Sequence, residues 1–167
     1  MLEDHETRDQ SRNNLAVEVL RKTGTLRLSA FGYSMLPTLY PGDILTIKRE
    51  TVSAIQAGDV VLYARAGRFF IHRNLRSVQR GSETALVTRG DSMPHADEPV
   101  VASELLGKVI GMGDGVEARP VPPCTVWRRT VGLVLAYSGR LRSLALRRHK
   151  SRTNASAPEL VRGELLR

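Results

Sequence analysis

The sequence predicts a mainly β fold: a partly closed antiparallel structure, preceded by a short helix and followed by a basic helical tail. Six short apolar runs follow one another between turn signals, which is typical of consecutive antiparallel strands. Helical periodicity is found only outside these runs, near the two ends of the chain. Because a domain usually holds about 100 to 200 residues, the 167 residues are expected to form one domain with extensions.

Composition and turn signals divide the chain into three predicted segments, residues 1–24, 25–118 and 119–167. In the first segment, Asn13 and Asn14 offer N-caps to a short amphipathic helix that ends near residues 23–24. Residues 66–67 predict a tight hairpin turn, and residues 80–82 predict the next turn. The predicted strands are 25–31, 43–48, 59–65, 68–78, 84–88 and 104–112.

The net charge of +8 belongs to the third segment. Residues 1–118 hold 14 Lys or Arg and 15 Asp or Glu, whereas residues 119–167 hold 11 and 2. Residues 127–150 mix leucines with arginines in a predicted helix, so we expect peripheral contact with an anionic membrane surface or an acidic partner. The alternative is a solvated basic helix that packs a few leucines on the core. A short final helix is predicted over residues 158–166.

Several classes of protein are disfavoured by the same inspection. The longest apolar run, residues 131–137, is far shorter than the roughly 18 to 20 residues that a membrane-spanning helix needs. Residues 1–6 are acidic and polar, unlike a secretory signal, so a cytoplasmic or peripherally membrane-associated protein is expected. Cys124 is the single cysteine, which excludes an internal disulfide. A charge-balanced segment 1–118 with few aromatics argues against nucleic-acid binding.

Candidate chemistry begins at Ser34, which follows a predicted strand and precedes a turn stiffened by Pro37. A serine hydroxyl is a weak nucleophile and needs a base to take its proton. His72 is the natural base, because an ordinary imidazole titrates near 6.5 and is largely neutral at neutral pH. In a strand, His72 would share one face with Phe70, whereas Ile71 would lie on the other face.

A nearby carboxylate is needed to hold the second imidazole nitrogen, as in Ser-His-Asp triads. Asp91 and Asp97 lie in one predicted loop and are both candidates. With His72 and His95 they could also ligate a divalent metal, but Ser34 would then have no role, so no metal and no other cofactor is predicted. The pairs at residues 42–43 and 58–59 are interpreted as turn formers.

Three short stretches of the sequence, called boxes below, resemble the signal peptidase family in its broad sense, the S24/S26 serine peptidases. The first box is residues 32–39 followed by Gly-Asp at 42–43, the second is residues 58–61 with 70–73, and the third is residues 88–91 with a later acid. The resemblance covers roughly residues 25–112. It implies the signal-peptidase/LexA-like fold and a serine endopeptidase that acts on a peptide or precursor protein with small residues before the cut.

The resemblance also implies roles for individual residues. Ser34 is the nucleophile and His72 the base, as in the endoplasmic-reticulum and archaeal type rather than the lysine type. Asp97 is the orienting acid, because it comes six residues after the Gly-Asp aspartate, and Asp91 supports the loop. The implied oxyanion and substrate-binding region is formed by Gly32, Tyr33, Met35 and Pro37.

Glycine at position 32 departs from the many signal peptidases that carry a serine there, so the oxyanion site must depend on backbone N–H groups, chiefly that of Ser34. A catalytically weak or inactive binding module, which docks through its basic tail, is the main alternative. A self-cleaving repressor is a poorer one, because about two dozen residues ahead of the first strand are too few for a helix-turn-helix module.

Overall fold

The six predicted apolar runs pair as one antiparallel sheet in a computed structural model, which describes residues 2–113 and 118–155. The strands are β1 (Thr25–Ser29), β2 (Ile44–Lys48), β3 (Val60–Arg65), β4 (Arg68–Arg80), β5 (Glu83–Arg89) and β6 (Leu105–Met112). The helices are α1 (Leu2–Thr23), α2 (Val126–Tyr137) and α3 (Gly139–Ala155). The predicted mainly β fold with flanking helices is confirmed.

The strand order β1-β2-β6-β3-β4-β5 leaves β1 and β5 at the edges, so the sheet in the described residues is not closed. The turn between β3 and β4 is the predicted tight hairpin. Its two residues have positive φ, 49° at Ala66 and 72° at Gly67, as a type I′ turn requires. This turn fixes the register in which Val61 stands opposite His72.

Alternation along the strands gives the sheet two buried faces. On β3, Val60 and Leu62 join one apolar cluster, while Val61 and Tyr63 join the other. On β4, Phe69 and Ile71 belong to the first cluster, and Phe70 packs against the second. His72 lies on the Phe70 side, as the period of two predicts.

Helix α1 begins earlier than the sequence predicts. It starts at Leu2 instead of near Asn13, because residues 2–23 contain no Gly or Pro that would interrupt it. The side chain of Asn13 does not cap the helix and instead donates to the carbonyl of Gly67 at 2.9 Å. The predicted end is correct, since Gly24 N–H bonds the carbonyl of Leu20 at 3.0 Å with Gly24 at positive φ.

The predicted helix 127–150 is two helices. Thr125 caps α2 by accepting a hydrogen bond from the Arg128 N–H, and Ser138 leaves helical geometry before Gly139 starts α3. The predicted final helix over residues 158–166 lies outside the described residues. None of the helices in the described ranges is long and apolar enough to cross a membrane.

Candidate active site

Ser34 lies in the loop that joins β1 to β2, and the side chains around it fasten this loop to the core. Met35, Leu36 and Leu39 are buried. The carbonyls of Tyr33 and Met35 accept hydrogen bonds from the N–H groups of Leu36 and Thr38, at 3.2 and 2.8 Å. The loop therefore forms a turn that leaves Ser34 half-buried between core residues and the surface.

The structure brings Ser34, His72 and Asp97 together. Ser34 Oγ lies 3.0 Å from His72 Nε2, and His72 Nδ1 lies 2.6 Å from Asp97 Oδ2. A carboxylate can only accept, so Nδ1 carries the ring proton and Nε2 is left to accept from the serine hydroxyl. This geometry matches that of a nucleophile, a base and an orienting acid.

Two donors share Asp97 Oδ2: His72 Nδ1 at 2.6 Å and the hydroxyl of the fully buried Thr88 at 2.7 Å. In addition, the Asp97 N–H donates to the Thr88 carbonyl at 2.8 Å. Burial works to raise the pKa of Asp97, but the hydrogen bonds from His72 and Thr88 outweigh it and keep the pKa below its ordinary value. Asp97 therefore stays ionised at neutral pH.

Tyr63 of β3 completes the surroundings of the imidazole. Its hydroxyl lies 3.5 Å from His72 Nδ1, and its ring packs edge-on to the imidazole with centroids 6.1 Å apart. Burial and then the negative charge of Asp97 raise the pKa of Tyr63 to about 12. The phenol is therefore neutral at neutral pH.

Asp91 takes a different position from Asp97. It is buried and accepts from Arg73 Nε and Nη2 at 2.9 and 2.8 Å and from Thr38 Oγ1 at 2.5 Å. Arg73 also donates to the carbonyls of Gly58 and Pro122, at 2.8 and 3.1 Å. Asp91 thus ties the Ser34 loop to β4, as the supporting role implied by the resemblance would require.

Backbone contacts join the Ser34 loop to the segment after β5. Ser92 N–H bonds the carbonyl of Ser34, and Ser92 Oγ donates to the carbonyl of Tyr33, both at 2.9 Å. A Cβ atom on Gly90 would come within 2.5 Å of the Ser34 carbonyl oxygen. The absence of a side chain at Gly90 therefore allows the nucleophile loop to lie directly against it.

The predicted oxyanion region contains a free donor. Among the described residues, the N–H of Ser34 makes no hydrogen bond. Gly32 has φ +78°, a conformation that favours glycine, so a serine there would be strained. Tyr33 is half-exposed and Pro37 partly exposed, while the side chain of Met35 belongs to the core, so Met35 can face a substrate only through its backbone.

The residues interpreted as turn formers make turn contacts. Asp43 Oδ2 accepts from the Tyr40 N–H at 2.8 Å, and Asp59 Oδ2 accepts from the Gln56 N–H at 2.9 Å. His95 is exposed. In the described part of the chain, no three His, Cys, Asp or Glu side chains cluster as metal ligands.

The C-terminal helices pack on the Ser34 loop. A Cβ atom on Gly132 of α2 would stand 2.6 Å from the carbonyl oxygen of Leu36, so the helix backbone touches the loop there. On α3, the Arg142 guanidinium lies 5.0 Å from the centre of the Tyr33 ring. His149 stacks on Tyr40 with centroids 4.1 Å apart. Both helices thus contact the loop that carries Ser34.

Comparison with known proteins finds a similarity to a signal peptidase subunit. A stretch of 74 residues is 32% identical to the signal peptidase complex catalytic subunit SEC11 of Colletotrichum graminicola. The match covers 42% of this chain and 43% of that protein, so it spans less than half the length of its relative. No protein-family model matches the chain. The similarity supports a signal-peptidase-like protein.

Sequence reasoning missed four side chains that hold the candidate acids and base: Thr38, Tyr63, Arg73 and Thr88. Three of them had a signal in the sequence. Thr38 lies in the first box, Arg73 closes the second and Thr88 opens the third, so each belongs to a motif that was interpreted through other residues. Tyr63 could be found only from the β3–β4 register, which sets it diagonal to His72.

Proposed function

We propose that the chain is a serine endopeptidase that cleaves a peptide or precursor protein through an acyl-enzyme. The observation that carries the proposal is the continuous hydrogen-bonded path from Ser34 Oγ through the His72 imidazole to Asp97, with distances of 3.0 and 2.6 Å. The similarity to a signal peptidase catalytic subunit supports the same reaction class. A separate supporting feature is the pair of donors that keeps Asp97 ionised.

In the proposed reaction, Ser34 Oγ attacks the carbonyl carbon of the scissile peptide while its proton moves to His72 Nε2. The resulting oxyanion is stabilised by the Ser34 N–H. His72 then gives the proton to the leaving amine as the C–N bond breaks, which leaves an acyl ester on Ser34. Water repeats these steps, with His72 again as base and then as acid, and releases the new carboxylate.

The direct test is covalent labelling at Ser34 by a fluorophosphonate probe, followed by peptide mapping. Ser34→Ala should remove the label completely, and His72→Ala should slow it by about a thousandfold or more, as expected for loss of the base in a triad. Ser92→Ala is the matched control and should keep the label at Ser34. Ser92 lies beside the same loop, but its hydroxyl donates to the Tyr33 carbonyl. Labelling of the His72→Ala protein at the parental rate would contradict the proposal.

The substrate can be sought with precursor peptides that carry small residues at the first and third positions before a potential cut. Incubation with the parent protein and mass spectrometry of the new termini should reveal one preferred bond, and Ser34→Ala should leave the peptide intact. The rate should fall on acidification, because a protonated imidazole cannot act as a base. A rate set only by a group that titrates well above neutrality would argue against His72 as the base.

A non-catalytic binding module is the second candidate, favoured by the exposed apolar and basic side chains of α2 and α3. The two candidates differ in one measurement. A binding module would keep Ser34 unreactive toward the probe under conditions in which the protein is fully folded.

A further inference from the structure

We infer that α2 and α3 form a docking surface for an anionic membrane. Two stripes of side chains face each other across a groove of about 610 Å³ between the helices. On α2 the stripe includes Trp127, Val131 and Val134, and on α3 it includes Leu141, Leu144 and Ala145. Both stripes follow the spacing of one helix face. This groove and its rims are called the hairpin surface below.

The hairpin surface exposes large apolar side chains that other parts of the protein do not cover in the described structure. Trp127 is 75% exposed, Leu144 is 54% exposed and Leu141 is 46% exposed. Trp127 lies near the start of α2, and Tyr137, which is 79% exposed, lies at the end of the same helix beyond the residues that line the groove. Aromatic side chains with a polar edge are favoured at the boundary between lipid headgroups and acyl chains, where one end of the ring is apolar and the other is hydrated.

Charge complementarity identifies the partner. Residues 119–158 contain nine Lys or Arg and no Asp or Glu. In this range Arg140, Arg147 and Arg148 are exposed on α3, and Arg148 borders the groove itself. An apolar stripe flanked by arginines is the pattern of helices that lie in an anionic membrane interface.

A second copy of the chain fits this surface less well. A symmetric dimer would bring the same arginines of both copies together, because a two-fold interface is built from the same patch on each subunit. The excess of positive charge would then oppose association. An anionic bilayer offers negative charge to the arginines and an apolar interior to Trp127 and Leu144 at the same time.

The hairpin surface also lies next to the candidate active site. Arg142 contacts Tyr33, the residue before Ser34, and Gly132 touches the loop at Leu36. Membrane binding through this surface would hold the Ser34 loop near the headgroups. This last consequence rests on the proposed peptidase function, whereas the binding itself does not.

The test uses the full chain and vesicles of phosphatidylcholine with or without phosphatidylglycerol. Trp127 is the single tryptophan, so its fluorescence reports on the hairpin surface alone. We expect cosedimentation with the anionic vesicles, a blue shift of the tryptophan emission, and release at high salt. Absence of binding, or equal binding to both vesicles without any salt effect, would overturn the inference whether or not Ser34 reacts with a probe.

Matched variants locate the contact. Leu144→Ser should weaken vesicle binding several-fold, whereas Leu15→Ser on α1, where the leucine is 63% exposed, should not. Replacing Arg140 and Arg148 together with Gln should weaken binding by at least about tenfold. Replacing the exposed Arg76 and Arg80 of β4 with Gln gives the same change in net charge as a control. Equal losses in both charge variants would count against a specific surface.

Other occupants give distinct results. Sedimentation of the chain without lipid would reveal a dimer, and dissociation of that dimer by Leu144→Ser without any vesicle binding would assign the surface to self-association. Binding to polyglutamate but not to anionic vesicles would assign it to an acidic protein. Either result would overturn the membrane inference.

Discussion

Gly90 and Ser34 are in direct backbone contact, with no room for a side chain between them. A Cβ atom added at Gly90 would stand 2.5 Å from the Ser34 carbonyl oxygen and 2.9 Å from Ser34 Cβ. Real Cβ atoms do not approach other atoms so closely, so one of the two loops would have to move. The position of the candidate nucleophile therefore depends on a glycine in another segment of the chain.

Gly90→Ala should displace Ser34 and slow its reaction with a fluorophosphonate by about ten- to a hundredfold, because a shift on the order of 1 Å can cost that much. The measurement is the labelling rate, together with the thermal unfolding midpoint. Gly139→Ala is the control, since its nearest neighbour, the end of the Arg142 side chain, lies 4.0 Å away. An unchanged labelling rate in Gly90→Ala would contradict the contact.

Thr88→Val should reduce the reactivity of Ser34 by about tenfold, because Asp97 Oδ2 loses one of its two donors and then holds His72 less firmly. Thr88→Ser keeps the hydroxyl and should restore most of the rate. The unfolding midpoint of each variant is measured beside its labelling rate, which separates this positioning effect from a loss of stability. If the valine and serine variants react equally fast, the Thr88 hydrogen bond has no such role.

Asp97 should make the stability of the protein sensitive to acid. Its pKa is below the ordinary value in the folded state, so the folded protein favours the ionised form more than the unfolded chain does. This contribution is present above the unfolded pKa, about 3.9, and is lost as the pH falls through the lower folded value.

Urea unfolding of the parent and of Asp97→Asn measures this contribution. The difference in unfolding free energy between the two proteins should be largest near neutral pH and should shrink below about pH 4. Glu98→Gln changes a neighbouring exposed carboxyl and serves as the control. A parent–variant difference that is constant down to strongly acidic pH would show that Asp97 is not stabilised as an anion.

Arg73 and Asp91 form a buried ion pair, with side chains 6% and 2% exposed. Arg73→Met should destabilise the fold by about 3 to 5 kcal/mol, because Asp91 is then a buried charge without its partner. Lys22→Met breaks the exposed pair with Glu18, which are 73% and 59% exposed, and should cost no more than about 1 kcal/mol. If urea unfolding showed the same loss of unfolding free energy in Arg73→Met and Lys22→Met, the difference in burial would not matter.

The positions of the strands along the chain and the residues that could form the candidate triad could be predicted because their signals are local. Short apolar runs between turn residues indicate strands, and the boxes around Ser34, His72 and Asp91 are contiguous in sequence. The tight turn at Ala66 and Gly67 was predicted for the same reason. The start of α1 was not, because Asn13 can cap a helix or bind elsewhere, and it bonds Gly67 in the fold.

The sequence by itself determined the mainly β architecture, the flanking helices and the set of residues that could form a triad, because strand period and motif spacing act over short distances. Only the tertiary structure decided that Asp97 contacts His72 while Asp91 pairs with Arg73. Both acids follow β5 in one loop, so composition and strand period do not separate them, and only the spacing implied by the resemblance to signal peptidases favours Asp97. The packing of that loop against β4 and the Ser34 turn brings one carboxylate to the imidazole and buries the other against a guanidinium.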